Sequence, residues 1–200
     1  MERHPTEQKI LDETIRIIET NGETNVRVHD IEVAVGITAP SIYHFFGNRE
    51  GLVAEAQAER LLRSFQELDH FFDLAVASVK SRDDTRAALR QLLKMIFDPS
   101  RAQARQHRLA AMGSAEGRPE LALRIAEMCQ YFFSDEASRL KPLQENGWVD
   151  PDLDLEAFFY WLSGLILGRV YIEIGWEPGP YPEWDEISQR AVEFILLGPD

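Results

Sequence analysis

Apolar residues recur at intervals of three and four along most of this chain, which is the spacing of one face of an α-helix. In the first such segment Ile10, Leu11, Thr14, Ile17 and Ile18 fall on one face, and Gly22 then ends the helix. No segment shows the sustained alternation of apolar and polar residues that is typical of strands. The pattern predicts an all-α fold, with helices over residues 6–21, 28–35, 39–45, 49–78, 85–97, 101–112, 119–143, 155–175 and 186–197.

The predicted helices fall into two groups by length. Three short helices occupy residues 1–50, and about six longer ones occupy residues 51–200. Three short helices bury little apolar surface by themselves, so we expect the N-terminal domain, residues 1–50, to pack on the long fourth helix. Residues 51–200 are then a larger helical domain.

A tight turn joins the second and third predicted helices. Gly36 stands where a helix C-terminus favours a left-handed residue, and Thr38 precedes the next helix as a candidate N-cap. Two helices joined by a short glycine-containing turn predict a helix-turn-helix. Ile31, Ile37 and Ile42 would hold the two helices together. The alternative is an ordinary helical domain in which Tyr43, Phe45 and Phe46 are core aromatic residues; the spacing alone does not decide between them.

The third helix carries residue types that suit a DNA groove. Ala39 and Pro40 can contact a thymine methyl group, and Ser41 can donate or accept a hydrogen bond at a base edge. Tyr43 and His44 can reach phosphate oxygens. Cationic anchoring would come from Arg27 and Arg49, with Lys9. The candidate DNA-binding residues are Arg27, Thr38, Ala39, Pro40, Ser41, Tyr43, His44, Asn48 and Arg49.

The charge balance opposes this interpretation. The formal net charge is −13, and residues 1–50 hold five basic and nine acidic residues, a net charge of −4. Non-specific binding to nucleic acid depends on lysine and arginine neutralising phosphates, so the acidic balance argues against wholesale binding of this kind. A small local DNA-binding surface is not excluded.

The segment NVRVHDIEVAVGITAPSIYHFFGNREGLVAEA resembles the DNA-binding domain of TetR-family transcriptional repressors. The resemblance covers about the first quarter of the chain. It rests on Asp30, Ile31, Gly36, Ile37, Thr38, Ser41, Ile42, Tyr43, Phe46, Asn48, Arg49, Glu50 and Leu52. Two positions depart from the family pattern: Glu32 replaces a small residue, usually alanine, and Ala39 replaces a residue that is often polar or basic.

The resemblance implies a role for each matching position. Ala39, Pro40 and Tyr43 correspond to residues that meet bases or the groove wall, and Thr38, Tyr43, His44 and Arg49 to residues that meet phosphates. It also implies a ligand-responsive regulator that binds a palindromic DNA operator as a homodimer and is released by a small-molecule effector. Since this N-terminal domain is acidic, we expect modest affinity that depends strongly on dimerisation.

The larger domain offers two candidate surfaces. The last two helices could form half of an inter-subunit four-helix bundle, through Phe158, Leu162, Gly164, Leu165, Gly168, Tyr171, Ile172, Phe194 and Leu197. A ligand could bind among Phe65, Met95, His107, Met112, Met128, Phe132 and Trp161, because methionine and aromatic side chains adapt to apolar ligands. Both sets are also compatible with an intrachain core. The acidic, aromatic-rich composition could favour a cationic ligand.

Other classes of protein find less support in the sequence. No HExxH, Walker A, GxSxG or GxGxxG motif is present, so we expect no enzyme, no metal and no cofactor. The single cysteine, Cys129, forms no disulfide framework and suits a reducing cytoplasm. The apolar run Ala157 to Trp176 is long enough to span a membrane, but Arg169 and Glu173 lie inside it, so we expect a buried helix and no membrane partner. A ligand-binding family member with weak or lost DNA binding stays an alternative, and an all-helical enzyme is a weaker one.

Overall fold

The computed structural model describes residues 3–175 and 179–199, apart from the side chain of Glu67. These residues form helices and no strand, which confirms the predicted all-α class. The helices are α1 (Pro5–Asn21), α2 (Val28–Val35), α3 (Ala39–Phe46), α4 (Arg49–Ser78), α5 (Arg82–Ile96), α6 (Ala102–Gly113), α7 (Pro119–Glu145), α8 (Leu155–Gly168), α9 (Val170–Glu173) and α10 (Pro182–Leu197). Two 3-10 turns, Glu23–Asn25 and Pro99–Arg101, lie between them.

Most of these bounds agree with the predicted ones to within three residues, and the end of α8 and the start of α10 differ by more. The predicted helix over residues 155–175 is wrong, since α8 ends at Gly168 and a tightened turn at Arg169, whose N–H bonds to the Ile166 carbonyl three residues back at 3.3 Å, separates it from α9. α10 begins at Pro182, four residues before the predicted start, because a proline at the first helical position needs no amide hydrogen. α7 continues through Pro142 to Glu145.

The chain divides into two compact units. The first comprises Met1–Arg63 and Ala110–Ala126, and the second comprises Ser64–Leu109 and Glu127–Asp200. The first unit extends beyond the predicted boundary at residue 50 because Leu52, Val53 and Ala56 of α4 belong to the same buried apolar cluster as α1, α2 and α3. α4, α6 and α7 each contribute residues to both units.

Within the first unit, the turn between α6 and α7 is fastened to the N-terminal helices by one carboxylate. Glu23 accepts hydrogen bonds from Arg118 at 2.5 Å, from the Ser114 hydroxyl at 2.6 Å and from Gln57 at 2.7 Å. Burial raises the pKa of Glu23, but these three hydrogen bonds outweigh it and lower the pKa below its ordinary value. Arg118 also pairs with Glu50 at 3.0 Å. The ionised form of Glu23 is therefore the one that this unit stabilises.

The second unit holds a buried ionic cluster around Arg169, whose side chain is fully buried. The Arg169 guanidinium donates to Glu173 at 2.9 Å and pairs with Asp185. Arg105 donates to the same Glu173 carboxylate at 2.9 Å. Arg169 also lies over the rings of Phe97 and Tyr181, 5.2 and 5.5 Å from their centroids. This cluster connects α6, α8, α9 and α10.

Leu155–Glu173 is long and apolar enough, by length and composition, to cross a membrane, and it is the one such stretch in the part of the chain that the structure describes. Trp176, the end of the apolar run, lies outside the described residues. The stretch is interrupted after Gly168, and two of its three charged residues, Arg169 and Glu173, are paired with each other at 2.9 Å. One face of α8 is buried, and the opposite face is exposed at Tyr160 and Trp161. α8 is therefore apolar on its exposed face as well as on its buried face.

Candidate nucleic-acid interface and ligand cavity

Gly36 makes the turn between α2 and α3. Its φ of 74° and ψ of 38° are the left-handed conformation that the sequence predicts there, and glycine adopts it without steric cost. The N–H groups of Gly36 and Ile37 both donate to the Glu32 carbonyl, at 2.9 and 3.2 Å. Ile31 and Ile42 are completely buried and join α2 to α3 through the core of the first unit.

This packing leaves one face of α3 open to solvent. Thr38, Pro40, Ser41, Tyr43 and His44 are exposed, and Ala39 is half-buried. Of the three aromatic residues that the sequence left open, some are core residues and some are exposed. Phe46 is a core residue, Phe45 is half-buried, and Tyr43 is 42% exposed. The exposed face of α3 is defined by Thr38, Pro40, Ser41, Tyr43 and His44, and it has the composition that groove contacts require.

The side chain of Glu32, a residue of α2, contacts the N-terminus of α3. One carboxylate oxygen accepts a hydrogen bond from the backbone N–H of Ala39, and the other lies 3.6 Å from Nδ1 of His29. Thr38, the predicted cap, makes no side-chain capping bond. The carboxylate thus replaces the hydroxyl cap and places a negative charge at the positive end of the helix dipole. The sequence marks Glu32 as a departure but gives no indication of this contact.

Two of the predicted DNA contacts have structural partners. Arg49 donates to the carbonyls of Val26 at 2.9 Å and Glu23 at 3.2 Å, and it pairs with Glu50 at 2.5 Å. The Asn48 side chain accepts from the N–H of Gly51 at 2.8 Å and so caps α4. Arg27 and Lys9 are exposed. The hydrogen bonds of Arg49 thus fasten the start of α4 to the loop before α2.

The second unit encloses an apolar cavity between α4, α5, α6, α7, α8 and α10. The space between the lining side chains is about 950 Å³ when the part open to solvent is included, and about 100 Å³ of it admits the centre of a water molecule. Phe65 and Phe132 stack in its wall with ring centroids 4.6 Å apart. Its lining residues are apolar except for Thr85, Arg108, Glu136 and Ser163.

Arg108 and Glu136 are the charged residues of this lining. The Arg108 guanidinium donates to the hydroxyl of Ser64 at 2.9 Å and to its carbonyl, and it lies 5.1 Å from the centroid of the Phe65 ring. Glu136 is 7% exposed, and the described residues offer it no hydrogen bond and no ion pair within 4 Å. Burial raises the pKa of Glu136 to about 8; nearby Arg139 and Arg108 lower it, and Asp69 raises it.

Residues 10–56 match the family described as bacterial regulatory proteins, tetR family. The chain is also 25% identical over 195 residues to the HTH-type transcriptional repressor KstR2 of Rhodococcus jostii (strain RHA1), across 95% of this chain and 89% of that protein. The chain is therefore similar to TetR-family bacterial transcriptional regulators, through its matched residues 10–56 and through this relative. These matches cover the exposed face of α3 and extend into the larger unit.

Solved structures of TetR-family proteins share the fold. A TetR-family transcriptional regulator from Cytophaga hutchinsonii superposes with a TM-score of 0.66 and 15% identity, over 98% of this chain and 96% of that chain. The fatty acid degradation regulator FadR from Bacillus halodurans superposes with a TM-score of 0.60 and 20% identity, over 99% and 97%. At these identities the likeness shows the arrangement of helices, including the larger unit.

The cavity of the second unit contains three of the seven predicted ligand residues. Phe65, Met95 and Phe132 line it. Met112 and Trp161 are exposed, and His107 and Met128 are half-buried and outside the lining. Two of these residues, His107 and Trp161, lie one position before a residue that lines the cavity, Arg108 and Leu162 respectively. One residue is a rotation of about 100° on a helix, which sequence spacing fixes poorly without a known core.

The residues predicted for dimerisation are also divided by the structure. Phe158 and Leu197 are buried inside the second unit, and Leu162 lines the cavity. Gly164, Tyr171 and Phe194 are exposed, while Leu165, Gly168 and Ile172 are half-buried. Gly168 faces the Trp184 ring, whose nearest atom would stand 3.6 Å from an added Cβ. An exposed apolar face therefore remains on α8, α9 and α10, without Phe158 and Leu197.

Glu136 and Arg108 are the charged residues of the cavity lining, and the sequence did not single them out. A signal for Glu136 exists in the sequence, because it lies on the same helical face as the apolar residues Phe132, Leu140 and Leu143. A charged residue within an apolar stripe is buried far less often than an apolar one and so marks a site of special chemistry.

Proposed function

We propose that this protein is a TetR-family transcriptional repressor that binds a palindromic operator as a homodimer and leaves it when a small apolar effector binds. The observation that carries the DNA-binding part is the exposed face of α3, where Pro40, Ser41 and Tyr43 stay accessible because Ile31 and Ile42 take up the packing. A DNA-binding regulator acts where the chromosome is, so we place the protein in the cytoplasm.

The homodimer is supported by the exposed apolar face of the last helices. Tyr171 is 88% exposed and Phe194 is 67% exposed, and with Ile187 they leave a large apolar surface on α9 and α10. Exposed apolar surface of this extent marks an interaction site on a soluble protein. Helix-turn-helix dimers bind half-sites about 34–36 Å apart, which matches the need for a second copy.

Effector release is supported by the helices that contribute to both units. α4, α6 and α7 line the cavity in the second unit and belong to the first unit at their other ends. In the first unit, Arg118 and Ser114 of the α6–α7 turn donate hydrogen bonds to the Glu23 carboxylate. An effector that binds the operator-free conformation more tightly shifts the population away from DNA.

The test compares two tyrosine variants on the operator enriched from a random DNA pool. Tyr43→Ala removes an exposed side chain of α3, and Tyr131→Ala removes one that is 77% exposed on α7. We expect Tyr43→Ala to weaken binding about tenfold or more, as loss of a groove contact does, and Tyr131→Ala to leave it unchanged. Equal affinities of all three proteins would contradict a role for α3 in binding.

A second candidate function follows from Glu32. A carboxylate on the N-terminus of α3 opposes the approach of phosphates, which favours a ligand-binding family member with weak or lost DNA binding. Binding that is absent at low salt for the folded protein, and restored by Glu32→Ala, would select this candidate over the repressor.

A further inference from the structure

Glu136 is a buried carboxyl that faces the cavity without a partner among the described residues. A buried polar group without a hydrogen bond is unfavourable, and a buried unpaired charge is more so. Besides α7, five helices supply the cavity wall, and the polar side chains of its described lining other than Glu136 are Thr85, Arg108 and Ser163. The carboxyl therefore lacks what a ligand could supply, a hydrogen-bond donor or a positive charge.

The charged groups near Glu136 are committed to other partners. On its own helix Arg139 pairs with Asp69 at 2.5 Å, with Asp73 at 2.6 Å and with Asp135 at 2.7 Å. From α6, Arg108 donates to Ser64. From α4, Asp69 adds a negative charge. α5 and α8 contribute only uncharged residues to the lining, so Glu136 is the one carboxyl group of the described lining that can pair with an incoming cation.

The remaining wall suits the body of an amphiphile. Phenylalanines of α4, α7 and α8 surround the space, and two guanidinium groups already lie over rings there: Arg108 over Phe65 at 5.1 Å and Arg139 over Phe72 at 5.2 Å. Aromatic faces attract cations, and apolar side chains bury hydrocarbon. A carboxylate ligand would instead meet the like charge of Glu136 when that group is ionised.

We propose that the effector is an amphiphilic amine, with its ammonium group paired to Glu136 and its hydrocarbon body among the phenylalanines of the cavity. This inference rests on the proposed effector role of the cavity and goes beyond it by naming the ligand class. Pairing with an ammonium requires the ionised carboxylate, so binding releases a proton. Because the pKa of the free Glu136 carboxyl is about 8, affinity rises with pH up to that value.

The experiment uses the full chain and three probes with the same ten-carbon tail: decylamine, decanol and decanoate. Their dissociation constants are measured by calorimetric titration at pH 6, 7 and 8, where the amine is protonated throughout. We expect decylamine to bind at least about tenfold tighter than the other two at pH 8. Its affinity should increase by up to about fifty-fold from pH 6 to pH 8, while decanol affinity stays constant.

Glu136→Gln should remove both the amine preference and the pH dependence and retain decanol binding. The matched control is Glu127→Gln, an exposed glutamate on the same helix, which should leave both unchanged. The native chain tests the proposal without any variant, through its pH profile.

Three outcomes would overturn the proposal. They are decanoate or decanol binding as tightly as decylamine, a flat pH profile for the amine in the native chain, and an amine preference that survives in Glu136→Gln. If decanol alone binds, the effector cavity stands and the amine class fails. If no probe binds the folded protein, the effector role fails with it, whereas operator binding is decided separately by the tyrosine variants.

Discussion

Glu32→Ala tests what the carboxylate at the N-terminus of α3 does to DNA binding. In the structure this carboxylate accepts from the Ala39 N–H and offsets the positive end of the α3 dipole, where phosphates or base edges approach. The side chain is about a quarter exposed, so its charge is only partly screened. Removing it frees both the amide donor and the dipole for the DNA.

The magnitude follows from the dipole contribution of one helix end, about 0.3–1 kcal/mol for a partly exposed charge. If the dipole of each α3 contributes about 0.7 kcal/mol to DNA binding, the two α3 helices of a dimer contribute about 1.4 kcal/mol, which is about tenfold in affinity. The lost cap should also lower the free energy of unfolding by about 1 kcal/mol. Glu32→Ala is thus expected to bind DNA more tightly while folding less stably.

The assay is fluorescence anisotropy with the selected operator at fixed salt, alongside thermal unfolding by circular dichroism. Glu120→Ala is the matched control: it makes the same change in net charge in the first turn of α7, and we expect less than about twofold change in affinity. Weaker operator binding by folded Glu32→Ala would refute the argument, because Glu32 would then contact a base or orient α3 for the DNA.

The other predictions concern stability and assembly. Arg169→Met removes the centre of the buried ionic cluster, which takes away the partner of Asp185 and leaves Glu173 with Arg105 alone, so urea unfolding should show a loss of about 3–5 kcal/mol; an unchanged midpoint would contradict the structural role of the cluster. Glu136 keeps its proton up to about pH 8 when folded but loses it near its ordinary pKa when unfolded, so stability should fall as pH rises from about 4.5 to 8 by a few kcal/mol. Glu136→Gln should abolish that fall in urea titrations, and a slope that persists in the variant would assign it to other groups. Phe194→Asp should produce monomers in sedimentation at micromolar concentration, whereas Tyr131→Asp should not; a monomeric native chain would contradict the proposed homodimer.

Helices were the most predictable part of this fold. Their apolar spacing and their glycine and proline ends act locally, so the bounds of α2 follow from the sequence to the residue, and Gly36 takes the predicted left-handed conformation. The interruption after Gly168 was not predictable, because it accompanies ion pairs of Arg169 with residues distant in sequence. Proline at the start of α10 gave a misleading break signal.

The candidate sites differ in the same way. The exposed face of α3 could be predicted because one short segment determines it, through the burial of Ile31 and Ile42. The cavity is formed by six helices, so its lining depends on how each helix is rotated, and the sequence placed Trp161 in it where Leu162 lies. The contact between Glu32 and Ala39 depends on the geometry of the turn, which residue types alone do not reveal.

The central claim is that α3 of two copies binds DNA. Selection of bound DNA from a random pool by the full chain tests it most directly. We predict enrichment of one palindrome with half-site centres about one helical turn, 10–10.5 base pairs, or a multiple of it apart, with binding that weakens as salt increases. Failure of the folded protein to enrich any sequence at low salt would contradict the account, and enrichment of an unrepeated single site would contradict the dimer.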